Sequence, residues 1–369
     1  MIKVLVFIDW YRPAYKAGGP ISSVENLIDL IGDEISFYIV TSDKDLNNEP
    51  LKDIIYDSWV KFNKVHVRYL RENQEKRDTL KEIVNEINPD KIYINGIFSK
   101  FYSVLPVFLF RKKYNLIISP RGMLINEALK IKFAKKKCYL LAMRLLGVFK
   151  NVCWHFSNKL EYHQAKNHAV INQNKIIPNL SRKIYFLEKK TTSFRIISVC
   201  RINKIKNIHF FLNVLQKCNF QCEYFIVGII EDKLYHQQLL EEVEKLPPHI
   251  SVQFFGAKSY DSITDLLQHS TLFVSTSLNE NYGHSIAEAL GHGVPVLISD
   301  SCPWEKLELF QAGFRIPLNE KQFFEKLNEV INKSNLEQKE MSRGARKYYE
   351  KFIDPAIYKN DYIQLFNEY

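Results

Sequence analysis

Continuous apolar runs alternate with amphipathic stretches along the chain, in two series. In the first, Ile2–Ile8 predicts a buried strand, Ser22–Ile31 a helix behind a glycine turn, and Ser36–Thr41 the next strand. Val65–Tyr69, Lys91–Asn95 and Leu116–Ser119 read as further strands, the last two separated by an apolar helix around Ser103–Phe110. Asn151–Phe156 followed by Leu160–Asn167 repeats the alternation. Strands apolar throughout, with helices between them, predict a parallel sheet covered on both faces. The pattern breaks near Pro178, and residues 179–193 are polar and irregular, as a linker would be. The second series then begins. Phe194–Cys200, Tyr224–Val227, Val252–Phe255, Leu272–Ser275 and Pro295–Ile298 predict strands, and Asn207–Leu215, Lys233–Lys245, Ser262–His269 and Gly283–Gly291 predict helices. After Asn319 the pattern is helical to the end.

The expected architecture is α/β, with two Rossmann-like doubly wound parallel sheets. Residues 1–178 form the first domain, 179–193 the linker, 194–350 the second domain, and 351–369 a C-terminal helix packing back on the first. Ligands of such sheets bind at the carboxyl ends of strands, so the expected site is a cleft between the domains.

Composition narrows the class. Hydrophobic residues make up 46% and charged residues 25% of the 369, which fits packed domains and excludes a disordered chain. Ile2–Ile8 is too short to span a bilayer and no small-residue cleavage site follows it, so a cytoplasmic protein, soluble or peripheral, is expected. The six cysteines form no Cys-x-x-Cys pair and sit mostly in apolar runs, as reduced core thiols do. The net charge of +10 is uneven. Residues 1–185 hold 30 Lys and Arg against 18 Asp and Glu, and from 100 to 183 the only acids are Glu127 and Glu161, against 17 basic residues. So long an acid-poor stretch points to an anionic partner.

Three motifs carry chemistry, each at a predicted strand end. The strongest runs from Asn279 through Glu280, Tyr282, Gly283, His284, Ser285 and Glu288, and on to Gly293-Val294-Pro295. Backbone N–H groups of Gly283, His284 and Ser285 at a helix start make an anion site. The two glutamates around it can accept hydrogen bonds from sugar hydroxyls. Taken singly, Glu280 reads as a solvated loop acid, whereas Glu288 lies among Ile286, Ala287, Ala289 and Leu290, where a carboxylate usually has a specific partner. The second motif is a short basic loop with Arg201 and Lys206 spaced to converge on one anion, as a diphosphate requires. The third is Gly18-Gly19-Pro20 after the first strand, where backbone can approach a phosphate or sugar closely, or simply turn.

Together the three resemble glycosyltransferase family four, the retaining group-one transferases of GT-B fold. The resemblance rests on the seven residues between Glu280 and Glu288, on Ala289 and Gly293-x-Pro295, on Arg201 and Lys206 five apart, and on Gly18 and Gly19. Ser119-Pro120-Arg121-Gly122-Met123-Leu124 and Pro303-Trp304 resemble the subgroup that builds surface polysaccharides, O-antigens among them. The family's histidines after the fourth and fifth strands correspond here to Asn95 and Arg121, its usual glycine before the diphosphate arginine to Cys200, and its usual phenylalanine to Tyr282.

The resemblance implies a UDP- or GDP-sugar donor and a glycan acceptor, polyprenyl-diphosphate-linked, with no nucleic-acid partner. Arg201 and Lys206 would hold the diphosphate and Glu288 the ribose. Glu280 with Tyr282, Gly283, His284 and Ser285 would hold the sugar, Gly18 and Gly19 would also touch the donor, and Arg121 and Asn95 would meet acceptor or phosphate. The catalytic set would be Glu280, Arg201 and Lys206. Two cations and helix-end amides offset a nucleoside diphosphate's charge, so neither metal nor cofactor is expected. The acceptor hydroxyl would attack on the face of the leaving phosphate, which takes its proton. A nucleotide-sugar epimerase on the same fold, and a non-catalytic anion- or membrane-binding protein, are the competing readings. The basic acceptor-side stretch argues against the first, and Glu280, Glu288, Arg201 and Lys206 together argue against the second. Finally, residues 126–150 predict a basic amphipathic helix, with Ala128, Leu129, Ile131, Ala134, Cys138, Leu141 and Leu145 as its apolar stripe. It would lie on anionic lipid at the inner face of the cytoplasmic membrane, or pack on the sheet with its lysines in water.

Overall fold

The computed structural model describes residues 1–16, 18–130, 133–186 and 194–369. They fall into two compact units, Met1–Leu180 with Pro355–Tyr369, and Ser181–Asp354.

The first unit carries β1 (Ile2–Phe7), β2 (Ile35–Ser42), β3 (Lys44–Asp45), β4 (Glu49–Pro50), β5 (Trp59–Phe62), β6 (Val65–Leu70), β7 (Lys91–Asn95), β8 (Asn115–Ser119), β9 (Val152–Phe156) and β10 (Gln173–Ile176). Eight of them form one sheet in the order β10-β9-β8-β7-β1-β2-β6-β5, and β3 and β4 make a separate hairpin. All neighbours in the large sheet run parallel except the edge strand β5. The strand order reverses between β1 and β7, the signature of double winding. Every residue of β7 and β9 is buried, as strands covered on both faces require. The covering helices are α1 (Gly19–Ile31), α2 (Arg77–Ile87), α3 (Leu105–Phe110), α4 (Asn126–Lys130), α5 (Phe133–Leu145) and α6 (Lys159–Ala165).

The second unit carries β11 (Arg195–Val199), β12 (Cys222–Val227), β13 (Ile250–Gly256), β14 (Leu272–Ser275), β15 (Val296–Ser299) and β16 (Gly313–Ile316), all parallel, in the order β13-β12-β11-β14-β15-β16. Around them lie α7 (Ile208–Leu215), α8 (Lys233–Val243), α9 (Tyr260–Gln268), α10 (His284–Gly291), α11 (Glu320–Ile331) and α12 (Asn335–Phe352). The last helix, α13 (Lys359–Glu368), belongs to the first unit, where Tyr362, Leu365 and Phe366 join the core beneath β1 and β2.

Two stretches differ from the sequence expectation. Residues 181–186, within the expected linker, are laced to α12. Ser181 Oγ donates to Ile353 O at 3.2 Å, the Ile184 amide donates to Tyr349 Oη at 3.1 Å, and Arg346 donates to Ile184 O at 2.9 Å. Residues 187–193, also in that stretch, lie outside the described residues. The predicted helix over 126–150 is two helices, α4 and α5, and Ile131 and Lys132 lie outside the described residues. Nor does its stripe pack as one face. Leu129 is buried, but on α5 the buried positions are Leu140 and Met143, while Ala134, Cys138, Leu141 and Leu145 are exposed. No described helix is long and apolar enough to cross a membrane.

Candidate active site

The site in the second unit is assembled from the ends of β11 and β14 and the start of α10. Past β11, Cys200 donates its amide to Val227 O at 2.8 Å. Gly228, at φ +148°, has no room for a Cβ, which would stand 1.9 Å from the Cys200 carbonyl oxygen. The close approach at Cys200 is thus accommodated by a glycine just past the end of the neighbouring strand. The chain then makes a tight turn over Lys204–Lys206, capped by Asn203, whose side chain accepts from the Lys206 amide at 3.2 Å. Asn207 takes a left-handed conformation, φ 52°, and α7 follows. Three bonds tie this turn to the loop after β14. Thr276 Oγ1 donates to Asn207 O at 2.9 Å, Ser277 Oγ donates to Ile205 O at 3.3 Å, and the Leu278 amide donates to Ile205 O at 2.8 Å.

That lacing brings Lys206 to Glu280, Nζ to Oε2, at 2.5 Å, both side chains largely buried. Burial by itself would lower the Lys206 pKa. The charge of Glu280 and the hydrogen bond to it outweigh burial and leave the ammonium above its usual range, with nearby Arg201 opposing. Lys206, Glu280 and Ser285 line one recess together with Ser198, Cys200 and Thr276. Gly283, at φ 77°, is the N-cap of α10, and helix geometry directs the first-turn amides of His284 and Ser285 outward. Tyr282 is buried behind them, its ring centroid 4.7 Å from that of His284. Arg201 does not share an anion with Lys206 in this arrangement. It pairs instead with Glu231 at 2.9 Å, and Asn203 holds the other oxygen of that carboxylate. The convergence expected from their spacing is replaced by two separate ion pairs.

Glu288 lies four residues after His284, on the same face of α10. Burial raises its pKa to about 7, opposed by the charge of Arg182. Arg182 stacks on Tyr260, its guanidinium carbon 3.9 Å from the ring centroid. Neither residue was singled out by motif, because each comes from a segment with no local signature.

In the first unit, Gly18 is the N-cap of α1 at φ 66°, a conformation that favours glycine, and a Cβ there would meet nothing within 4 Å. Gly19 and Pro20 open the helix. Gly18 also borders a recess lined by Arg12, Tyr15, Ser22 and Glu25.

Arg121 and Asn95 meet directly, Nε to Oδ1 at 2.9 Å. The Arg121 guanidinium also donates to Asn179 Oδ1 and, at 3.0 Å, to Tyr93 Oη. Tyr93 Oη in turn lies 2.8 Å from His155 Nδ1, and His155 Nε2 lies 3.0 Å from Ile177 O. The carbonyl fixes the proton on Nε2, so Tyr93 donates to Nδ1. Burial, reinforced by the charge of Arg121, lowers the His155 pKa to about 3, and the ring is neutral at pH 7. Arg121 itself sits at φ 52°, followed by Gly122 at φ 80°, whose amide donates to buried Glu161. The network is polar, but its only cation has neutral partners among the described residues. Sequence reasoning found Asn95 and Arg121 but not Tyr93, His155 or Asn179, because the first two of these lie inside strands that read as plain core.

Asp43-Lys44-Asp45 is an Asp-x-Asp triplet at the end of β2, but Asp45 is occupied by the amides of Tyr15, Lys16 and Leu46. Among the described residues no three His, Cys, Asp or Glu side chains group as a metal site would.

Comparison with known proteins adds to this geometry. Residues 182–348 match the family model described as glycosyl transferases group 1. No curated protein matches the chain significantly by sequence. Among solved structures, the sucrose-phosphate synthase (tll1590) of Thermosynechococcus elongatus superposes with TM-score 0.76 at 12% identity, over 100% of this chain and 99% of that one. Anabaena Alr3699/HepE, solved in complex with UDP and glucose, gives 0.75 at 15% over the whole of both chains. WaaG, a glycosyltransferase involved in lipopolysaccharide biosynthesis, gives 0.67 at 14% over 99% of each. The chain is therefore built on the GT-B fold of two Rossmann-like domains, and its residues 182–348 are similar to the group 1 glycosyl transferases.

Proposed function

We propose that the protein is a retaining, metal-independent glycosyltransferase of glycosyltransferase family four. It moves a sugar from a UDP- or GDP-sugar to a lipid-linked glycan acceptor in surface-polysaccharide assembly, O-antigen or capsule. The observation that carries the reading is the single recess where Lys206, Glu280 and Ser285 meet at the start of α10. Lys206 and the helix amides take the diphosphate, Arg201 joins by leaving Glu231, and Glu288 accepts from the ribose hydroxyls. Glu280, released from Lys206 when phosphate takes its place, accepts from the sugar. The bond from the sugar's anomeric carbon to phosphate breaks and the bond to the acceptor oxygen forms on the same face. The acceptor proton passes to the leaving phosphate. Gly18 and Gly19, with open space beyond Gly18, serve close approach of the donor.

The acceptor side is proposed from two features. Arg121, a cation among neutral partners, together with Asn95 is suited to an acceptor phosphate. α5 leaves Leu141 and Leu145 at 56% and 79% exposure, beside exposed Lys135, Lys137 and Arg144. Apolar side chains flanked by cations suit an anionic lipid surface at the inner face of the cytoplasmic membrane.

One experiment tests the reading. The protein is incubated with a panel of UDP- and GDP-sugars in EDTA, with and without anionic vesicles, and released nucleotide is followed by mass spectrometry. Release from at least one donor without metal is the expected result. Release only when magnesium or manganese is restored would overturn metal independence. Vesicle binding that falls with salt, and falls again when Lys135 and Lys137 become Glu, is expected on the docking surface. Equal partition onto neutral vesicles would overturn it.

Glu288 supplies a pH signature. Its pKa of about 7 stands above the ordinary 4.5, so the carboxyl is largely protonated at pH 6. Ribose hydroxyls donating to it favour the ionised form, so binding expels a proton. UDP-glucose, whose own phosphates do not titrate near neutrality, should therefore bind more tightly as pH rises from 6 to 7. The gain should be at most about tenfold per pH unit and should level off above 7. Calorimetry in buffers of different ionisation enthalpy reads the proton directly, and Glu288→Gln should abolish its release. Proton uptake instead of release would place Glu288 elsewhere.

A further inference from the structure

The loop after β15, Asp300-Ser301-Cys302-Pro303-Trp304, is held from below. Arg315 donates to Cys302 O at 2.7 Å and also to Asp300 O, and Ser299 Oγ donates to Ser277 O at 2.6 Å, joining this loop to the one that carries Glu280. Trp304 is 9% exposed and packs edge-on against Tyr282, with ring centroids 4.9 Å apart. Its Nε1 is buried without a hydrogen-bond acceptor. That nitrogen lies beside Gly283. A Cβ built there would lie 3.3 Å from Trp304 Nε1 and 3.2 Å from Glu280 Cγ. The indole nitrogen and the Glu280 side chain therefore both stand against the glycine that opens α10, as does Ile286 Cδ1, 2.9 Å from the same point. Trp154 Nε1 is also without an acceptor, but that ring is wholly buried and stacked on Phe156 in the core of the first unit. Trp59 Nε1, likewise without an acceptor, lies on the edge strand β5. Of these three indoles, only that of Trp304 adjoins the start of α10 beside Glu280.

A buried donor left unmade is destabilising. A single hydroxyl seated between the two groups removes that cost, because its oxygen accepts from the indole while its hydrogen goes to Glu280. We propose that Trp304 is a specificity-determining residue, its indole N–H donating to a hydroxyl of the transferred sugar that also donates to Glu280. The inference rests on the donor site proposed above and adds what that site selects, a sugar bearing a free hydroxyl at this position. A site built to pair a substrate hydroxyl discriminates strongly against the analogue that lacks it, since its own polar groups are then left bare.

The test uses the full chain labelled with ¹⁵N at tryptophan. Four tryptophans give four indole signals, and that of Trp304 is identified by its loss in Trp304→Phe or by Overhauser contacts to the Tyr282 ring. UDP and GDP are titrated first, then UDP-glucose, UDP-N-acetylglucosamine and GDP-mannose, with calorimetry reporting occupancy. The Trp304 indole proton should move downfield with a nucleotide-sugar and stay in place with the bare nucleotide. Trp304→Phe keeps the ring and removes the donor. It should lower kcat/KM for that nucleotide-sugar about 10- to 100-fold and leave the nucleoside diphosphate Kd within about twofold. An indole signal that moves equally with bare nucleotide, or stays still with nucleotide-sugar bound, overturns the assignment. So does a variant that loses affinity for nucleotide and nucleotide-sugar alike. If no nucleotide or nucleotide-sugar binds the wild-type chain at all, the proposed function fails first and this inference with it.

Discussion

Glu280→Gln is expected to lower kcat about 100- to 1,000-fold, the usual consequence of deleting a polar group that acts as charge develops in the transition state. The affinity for UDP or GDP should hold or tighten. The ion pair is the reason. Glu280 occupies Lys206 at 2.5 Å, so a diphosphate must displace a carboxylate before it reaches the ammonium. Neutralising Glu280 removes that competition while replacing the sugar's charged acceptor by a weaker, neutral one. Turnover and nucleotide affinity should thus move in opposite directions, a pattern that a merely unfolded variant does not produce. Calorimetry with the nucleoside diphosphate and initial rates with the nucleotide-sugar read the two quantities. Should Glu280→Gln instead lose nucleotide affinity, its role and that of Glu288 are to be exchanged.

How far this site was legible in the sequence depends on the range of the interaction. The apolar runs of β1, β7, β9 and β11 marked two covered parallel sheets, because a strand buried on both faces cannot alternate. β10, Gln173–Ile176, was invisible, since an edge strand needs little apolar surface and its sequence has one aliphatic residue. β16 was missed for another reason. It starts at Gly313, φ 132°, where a Cβ would overlap Val296, so close strand contact demanded the residue that a pattern reader takes as a turn. α2, with its buried face of Leu80, Ile83, Val84 and Ile87, was passed over because polar residues dominate its composition.

The site divides in the same way. Glu280 and Glu288 were found through local spacing, and Lys206 through its basic loop. That Lys206 and Glu280, 74 residues apart, bond each other while Arg201 turns to Glu231 follows from sheet order and from the hydrogen bonds joining the Lys204–Lys206 turn to Thr276, Ser277 and Leu278. Arg182 escaped for the same reason, and Trp304, singled out with Pro303 by resemblance, was given no role. Each reaches the proposed site from a segment outside the motif around Glu280 and Glu288.

Lys206→Ala is expected to weaken nucleoside diphosphate binding about 30-fold or more, the range for removing one partner from a desolvated charge contact. The loss should exceed that from Arg201→Ala, because the Arg201 side chain is 42% exposed and that of Lys206 is 17% exposed. A charge screened by water contributes less to an anion it touches. Removing the lysine also leaves the Glu280 carboxylate without its cation beside the place the diphosphate must occupy. Part of the loss is therefore repulsion, and the double variant Lys206→Ala with Glu280→Ala separates the two effects. If Lys206 binds phosphate directly, the double variant recovers folding stability as the unpaired carboxylate disappears, yet binds nucleotide far more weakly than Glu280→Ala alone. If instead Lys206 serves only to neutralise Glu280, the double variant binds UDP or GDP as well as Glu280→Ala does. Thermal unfolding and calorimetry on the four proteins of that cycle distinguish the cases, and equal nucleotide affinity in the last two would remove Lys206 from the phosphate site.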